Sequence, residues 1–254
     1  MKTLKALLLF GSLLFCAACS KDDDAEPSSS NLDNVSLSLT STNNQVISTP
    51  SAMASSDDLQ AQMANAWVSS VNGITSYLSY LKAPANAKKS STMIVATNGR
   101  VADAGDVVVY TWEDANKNTI GYQISESSDS YKFDLFQKLS GQTTWLKYFH
   151  AEEKKDRSSG SMVILDIFGV MGSDKTTKLA DYSWTRSGDV LAFTMVSEMA
   201  GFTVKITINE KTKAGDVVYY IDGVKEYQMT WTSTGTGTWK LFDSDGNVDD
   251  SGSW

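Results

Sequence analysis

The sequence predicts a mainly β fold: an antiparallel meander forming a strongly curved sheet or barrel, with one N-terminal amphipathic helix packed on it. Three observations carry this expectation. From residue 92 onward, apolar and polar residues alternate with period two in one run after another. The last of the three prolines is Pro84, and strand interiors exclude proline. No stretch of helical period separates the runs, which removes the crossovers that a parallel sheet needs.

The chain opens with Lys2 and Lys5, an apolar run over 7–15, and Cys16-Ala17-Ala18-Cys19. The run is shorter than the roughly 20 apolar residues needed to span a bilayer, so it reads as a secretory signal. The segment resembles the lipobox of bacterial lipoproteins, with Ala17 and Ala18 before the modified Cys19. It departs from that pattern at Cys16, where the family carries Leu or another aliphatic residue. Ser20-Lys21-Asp22-Asp23-Asp24 resembles the acidic export signal of surface-exposed lipoproteins of Bacteroidota. The resemblance implies removal of residues 1–18, lipidation of Cys19, and a membrane partner held through the acyl chains. It also implies an outer-membrane, cell-surface location. Two or more acyl chains hold stably where one holds weakly.

Residues 19–54 are rich in Ser, Asn, Thr and Asp and read as a lipidated cysteine followed by a flexible tether, with 35–39 alternating like a short strand. Residues 55–254 read as a single β-rich domain. It begins with a helix over about 56–82, where Ser55 or Ser56 serves as cap and Asp57 and Asp58 lie in the first turn. Leu59, Met63, Ala66, Trp67, Ser70, Val71, Ile74, Tyr77, Leu78 and Leu81 form its apolar stripe, with Trp67 as the largest anchor. Pro84 closes it.

Eleven strands are expected, over 107–112, 119–125, 131–139, 143–151, 162–168, 179–185, 190–197, 202–209, 217–221, 226–231 and 238–242. Two of them carry nearly the same text. Ala104-Gly105-Asp106-Val107-Val108-Val109-Tyr110 is echoed by Ala214-Gly215-Asp216-Val217-Val218-Tyr219-Tyr220. Each is followed by a turn and a Tyr-Gln-apolar strand, at Tyr122 and at Tyr227. Asp222-Gly223 is the strongest two-residue turn signal in the chain.

Charge and cysteine usage exclude several classes. The net charge of −8 becomes −10 once Lys2 and Lys5 leave with the signal, and no Lys/Arg cluster exceeds a pair, which argues against nucleic acid. Cysteine occurs only at 16 and 19, so the domain has no internal disulfide or thiolate metal site. No cofactor is expected.

The candidate chemistry is sparse. His150 is the only histidine, which limits any triad or metal site to one imidazole. Asp134 and Asp166 interrupt apolar strands and could serve as a glycosidase pair if about 5–10 Å apart. Asp243, Asp245, Asn247 and Asp249 place oxygen ligands at alternating positions, as a calcium loop does, but Gly246 and the missing Glu fit an Asp-Gly hairpin turn better. Six tryptophans fall in the β region and could stack on a glycan or pack in a core. The leading expectation is a surface-exposed outer-membrane lipoprotein acting as a non-enzymatic binding or structural module, with a glycan or an apolar small molecule as candidate ligands. Its alternatives are a carrier of an apolar ligand in a half-barrel or lipocalin-like cavity, and a carbohydrate-active enzyme using in-strand carboxylates.

Overall fold

The computed structural model describes residues 31–40, 47–95, 106–167 and 177–254. The alternating runs form thirteen antiparallel strands: β1 (Lys88–Ser90), β2 (Val107–Glu113), β3 (Thr119–Glu126), β4 (Ser130–Lys138), β5 (Leu146–Lys154), β6 (Ser159–Leu165), β7 (Lys178–Ser187), β8 (Val190–Ser197), β9 (Phe202–Asn209), β10 (Gly215–Ile221), β11 (Val224–Trp231), β12 (Gly237–Phe242) and β13 (Val248–Ser253). Each strand pairs only with its chain neighbours, in the order β1 to β13, so the sheet is open and does not close into a barrel. All eleven expected strands are present. β1 and β13 were not legible because the first has three residues and the second, Val-Asp-Asp-Ser-Gly-Ser, has no apolar alternation.

Period-two alternation sorts the side chains onto two faces. The inner face carries Val108, Ile124, Phe133, Leu135, Phe149, Ala151, Met162, Trp184, Phe193, Ile206, Val217 and Met229, all in one apolar cluster. Tryptophan fills the gaps that glycine leaves on this face. Gly160 lies opposite Trp184, Gly215 opposite Trp231, and Gly252 opposite Trp239. Gly237 exchanges both backbone hydrogen bonds with Trp254. In each pair a Cβ on the glycine would overlap the indole, so these tryptophans are cross-strand packing residues.

Two helices are described, α1 (Ser51–Ala54) and α2 (Leu59–Tyr77), with a 3₁₀ turn at Leu78–Leu81. The cap of α2 is Asp58, not Ser55 or Ser56: its Oδ1 accepts the backbone N–H of Gln60 at 2.8 Å and of Ala61 at 3.1 Å. The expected stripe departs in its first half, where Ala61, Ala64 and Val68 are buried while Leu59 is 76% and Met63 40% exposed; further on, Val71 and Leu78 are buried and Ile74 and Leu81 pack on the core as expected. Trp67 is half-buried and stacks on Tyr219 at a ring-centroid distance of 5.5 Å. Alanines let the helix approach its neighbours closely, and they carry almost no hydropathy signal.

The largest departure concerns the expected tether. Within 31–40 and 47–54, Leu32, Leu37, Leu39, Ile47 and Met53 are at most 2% exposed and belong to the core. The alternating 35–39 stretch is no strand; the chain there passes into a 3₁₀ turn, Ser38–Thr40. The segment acts as a strap. Asp33 accepts from Lys89 Nζ (2.6 Å) and from the Tyr110 hydroxyl (2.7 Å), at β1 and β2. Met53 packs beside Gly235 in the β11–β12 turn, at the far side of the sheet.

Candidate functional site

The outer face carries a charged cluster centred on Asp134. β4 is buried on both faces near its centre, and Asp134 lies opposite Gln123 of β3 and His150 of β5. A register shift between Leu135 and Phe136 brings Lys147 opposite Phe136 and within reach of the same carboxylate. Asp134 Oδ1 accepts from Lys147 Nζ at 2.8 Å and from His150 Nδ1 at 2.8 Å. The Lys147 ammonium also lies 5.4 Å from the Phe136 ring centre.

Burial pushes the Asp134 carboxyl up, but the hydrogen bond from His150 and the Lys147 ammonium outweigh burial and hold it below the ordinary carboxylate value. An ionised carboxylate only accepts, so Nδ1 of His150 carries the proton and Nε2 is the acceptor of the neutral ring. The His150 side chain is 35% exposed, and Nε2 has no hydrogen-bond partner among the described residues. The segment 91–95 roofs the neighbouring surface: the Ile94 N–H donates to Gln123 Oε1 at 2.8 Å, and Ile94 and Trp145 close over Gly121.

The structure redistributes the residues singled out from sequence. Asp134 is committed to two cationic or proton-donating partners, and its cross-strand neighbours include no second carboxylate. Asp166 is buried beyond the end of β6, and its N–H donates to the Thr177 carbonyl at 2.9 Å. Cys19 and Ser20, Lys21, Asp22, Asp23 and Asp24 lie outside the described residues. Lys147 was not foreseen as a partner of Asp134; the pairing of β4 with β5 across the 139–145 turn was the signal that could have found it.

The C-terminal turn uses its acidic residue internally. Asp243 Oδ1 accepts the N–H groups of Asp245 (3.0 Å) and Asn247 (2.8 Å). The β2–β3 turn is built alike, with Asp114 Oδ1 accepting from Asn116 (2.8 Å) and Asn118 (2.9 Å). Gly246 in one and Lys117 in the other take positive φ, 83° and 63°. Asp245 and Asp249 are exposed. Among the described residues, no group of three or more His, Cys, Asp or Glu side chains could hold a metal ion.

The inner face has a second polar group, where the strap meets the sheet. Glu153 of β5, 2% exposed, accepts both the N–H (2.9 Å) and the hydroxyl of Ser38. Arg186 donates to the Ser38 hydroxyl at 2.9 Å and lies 3.4 Å from Glu210. On α2, Asn72 clamps the strap backbone from both sides. Its Oδ1 accepts the Ile47 N–H at 3.1 Å, and its Nδ2 donates to the Ile47 carbonyl at 2.7 Å. Thr49 donates to Asn65 Oδ1 at 2.5 Å, one further turn pair away on the same helix. No protein-family model matches the chain, and no curated protein matches it.

Proposed function

We propose that this chain is a surface-exposed outer-membrane lipoprotein, anchored through acyl chains on Cys19, that works as a non-enzymatic binding or structural module. The address rests on the lipobox-like residues and on Ser20 to Asp24. The observation that carries the non-enzymatic reading is the commitment of Asp134: a carboxylate shared between Lys147 and His150 is poorly placed to serve as one of two glycosidase carboxylates. A flat sheet of thirteen strands would be about 60 Å wide at the usual strand spacing, whereas α2 is about 28 Å long. A single cluster joining β2, β11, the strap and α2 therefore favours a strongly curved sheet wrapped about its own N-terminal segment. The apolar-carrier reading draws on the same inner face, whose apolar surface the strap leucines cover.

Detergent partitioning tests the anchor. The intact chain is expected in the detergent phase and Cys19→Ala in the aqueous phase; equal partitioning of the two overturns the lipid-anchor reading. Alanines at Lys21 to Asp24 are expected to lower protease access on intact cells without changing partitioning.

A further inference from the structure

We infer that the inner face of the sheet is a peptide-binding trough occupied in cis by residues 31–40 and 47–54 of the same chain, and that it accepts in trans a peptide of the same chemistry. This deepens the binding-module reading and rests on it. Three observations carry it. First, the described strap residues contribute no strand: β1 to β13 pair only with one another. Second, body side chains read the strap's backbone directly. Asn72 satisfies both the N–H and the C=O of Ile47, and Glu153 takes the N–H of Ser38 together with its hydroxyl. Main-chain hydrogen bonds that supply affinity, beside side-chain pockets that supply specificity, are the parts from which peptide-binding sites are built. Third, the side chains between and beside these clamps enter apolar sites: Leu37 and Leu39 flank Ser38, and all of Leu32, Leu37, Leu39 and Ile47 are at most 2% exposed.

The recognised peptide is thereby specified. It carries an aliphatic-Ser-aliphatic core. The serine hydroxyl donates to Glu153 and accepts from Arg186, whose charge is balanced by Glu210. An aliphatic residue eight positions after the second leucine of that core presents its backbone to Asn72, as Ile47 does after Leu39. A small hydroxyl residue two further on meets Asn65. The cis strap competes with any incoming peptide, and the apparent affinity falls by the fraction of molecules whose trough is open.

The test uses the chain from residue 19 with Cys19→Ala and a fluorescein-labelled synthetic peptide of residues 31–54, followed by anisotropy. Leu37→Asp with Leu39→Asp loosens the cis strap. The loosened protein is expected to bind the peptide about tenfold or more tightly than the unloosened one, and adding Asn72→Ala is expected to remove most of that gain. A loosened protein that keeps its sheet by far-ultraviolet circular dichroism and binds no better overturns the inference. If the loosened variant loses its sheet, hydrogen exchange on the unloosened chain decides. Strap amides that open while β7–β9 stay closed support a separable ligand; strap and strand amides that open together overturn it. Either result leaves the Cys19 partitioning experiment unaffected, so failure of the trough and failure of the anchor are distinguishable.

Discussion

The hairpins β2–β3 and β10–β11 carry nearly the same text but turn opposite faces of their first strands to the core cluster. In Asp106-Val107-Val108-Val109-Tyr110, the second valine points into the core and is 1% exposed, and Tyr110 points inward with it. In Asp216-Val217-Val218-Tyr219-Tyr220, the first valine is the core residue, 0% exposed. Tyr219 points inward against Trp67, and Tyr220 lies on the outer face beneath Lys205. The second strands agree in parity, since Tyr122 and Ile124 are inward, as are Tyr227 and Met229.

The difference comes from one residue of register. β2 and β3 pair without interruption, and Tyr110 faces Tyr122. β10 and β11 turn through Asp222 and Gly223, both at positive φ (48° and 83°), as a tight two-residue hairpin requires. Ile221 then faces Val224 and Tyr220 faces Lys225. Unbroken pairing would put Val218 opposite Tyr227 and repeat the parity of β2. A bulge at Glu226 instead sets Tyr219 opposite Tyr227. A one-residue slip moves every side chain to the other face, so a local irregularity decides which valine is core.

The largest test of this comparison is a charge scan of the valines. Val108→Asp and Val217→Asp bury an unpaired carboxylate and are expected to cost about 4 kcal/mol or more. Val107→Asp and Val218→Asp, half-buried on the other face, are expected to cost about 1–2 kcal/mol. Urea unfolding checks both. A larger loss at Val218 than at Val217 would show that the two hairpins share one parity after all.

A smaller effect separates the echoed tyrosines. The Tyr110 hydroxyl donates to Asp33, so Tyr110→Phe is expected to cost about 1.5–3 kcal/mol, as for hydrogen bonds to charged groups. Tyr220→Phe, whose hydroxyl has no such partner, is expected within about 0.5 kcal/mol of the parent. Burial, and then the bond to Asp33, push the Tyr110 hydroxyl up to about 12. Because this folded value lies above the ordinary one of about 10, its contribution is complete below pH 10 and is lost as pH rises through 12. Alkaline unfolding curves of parent and Tyr110→Phe should therefore converge; parallel curves would remove the Tyr110–Asp33 link. Asp33 works in the opposite sense. The hydrogen bonds from Lys89 and Tyr110 lower its carboxyl, so its share is present above the ordinary carboxylate range and is lost on acidification.

The turns give the smallest effect. Lys117 holds φ 63° in the β2–β3 turn, where glycine has no steric penalty. Lys117→Gly is expected to stabilise slightly, by up to about 1 kcal/mol, and Gly223→Ala to destabilise by about 1 kcal/mol. Thermal melts that move in the same direction for both would contradict the assigned turn geometries.

Several particulars mark how far the text could be read. The strand runs were legible because a half-buried antiparallel strand must alternate, and the Asp222-Gly223 turn because few residues tolerate its dihedrals. The strap was not legible. Leu32, Leu37, Leu39, Ile47 and Met53 are too widely and irregularly spaced among Ser, Thr and Asn to form a periodic signal, and they become core only because the sheet offers each of them a site. The helix was found and the C-terminal half of its stripe faces the core, but its first turns bury Ala61 and Ala64, which pack by being small, in place of Leu59 and Met63. Of the polar sites, Asp134 and His150 were noticed separately. Their contact needed the register of β4 on β5, and Lys147 needed the irregularity between Leu135 and Phe136. Glu153, Arg186 and Asn72 gave no signal, because their partners in the strap lie 115, 148 and 25 residues away from them.

By itself the sequence determined the class of structure: period-two alternation and the absence of proline after Pro84 leave an antiparallel meander as the way to pair these backbones. It also determined the absence of thiol chemistry in the domain and the acidic balance of the chain, which are properties of composition. Tertiary structure alone decided that the sheet stays open, that Leu32, Leu37, Leu39, Ile47 and Met53 join its core, and that identical valine pairs face opposite ways. Alternation fixes only that neighbouring side chains diverge. Which face becomes core depends on bulges and on what lies across it, and those are settled by contacts between residues far apart in the chain.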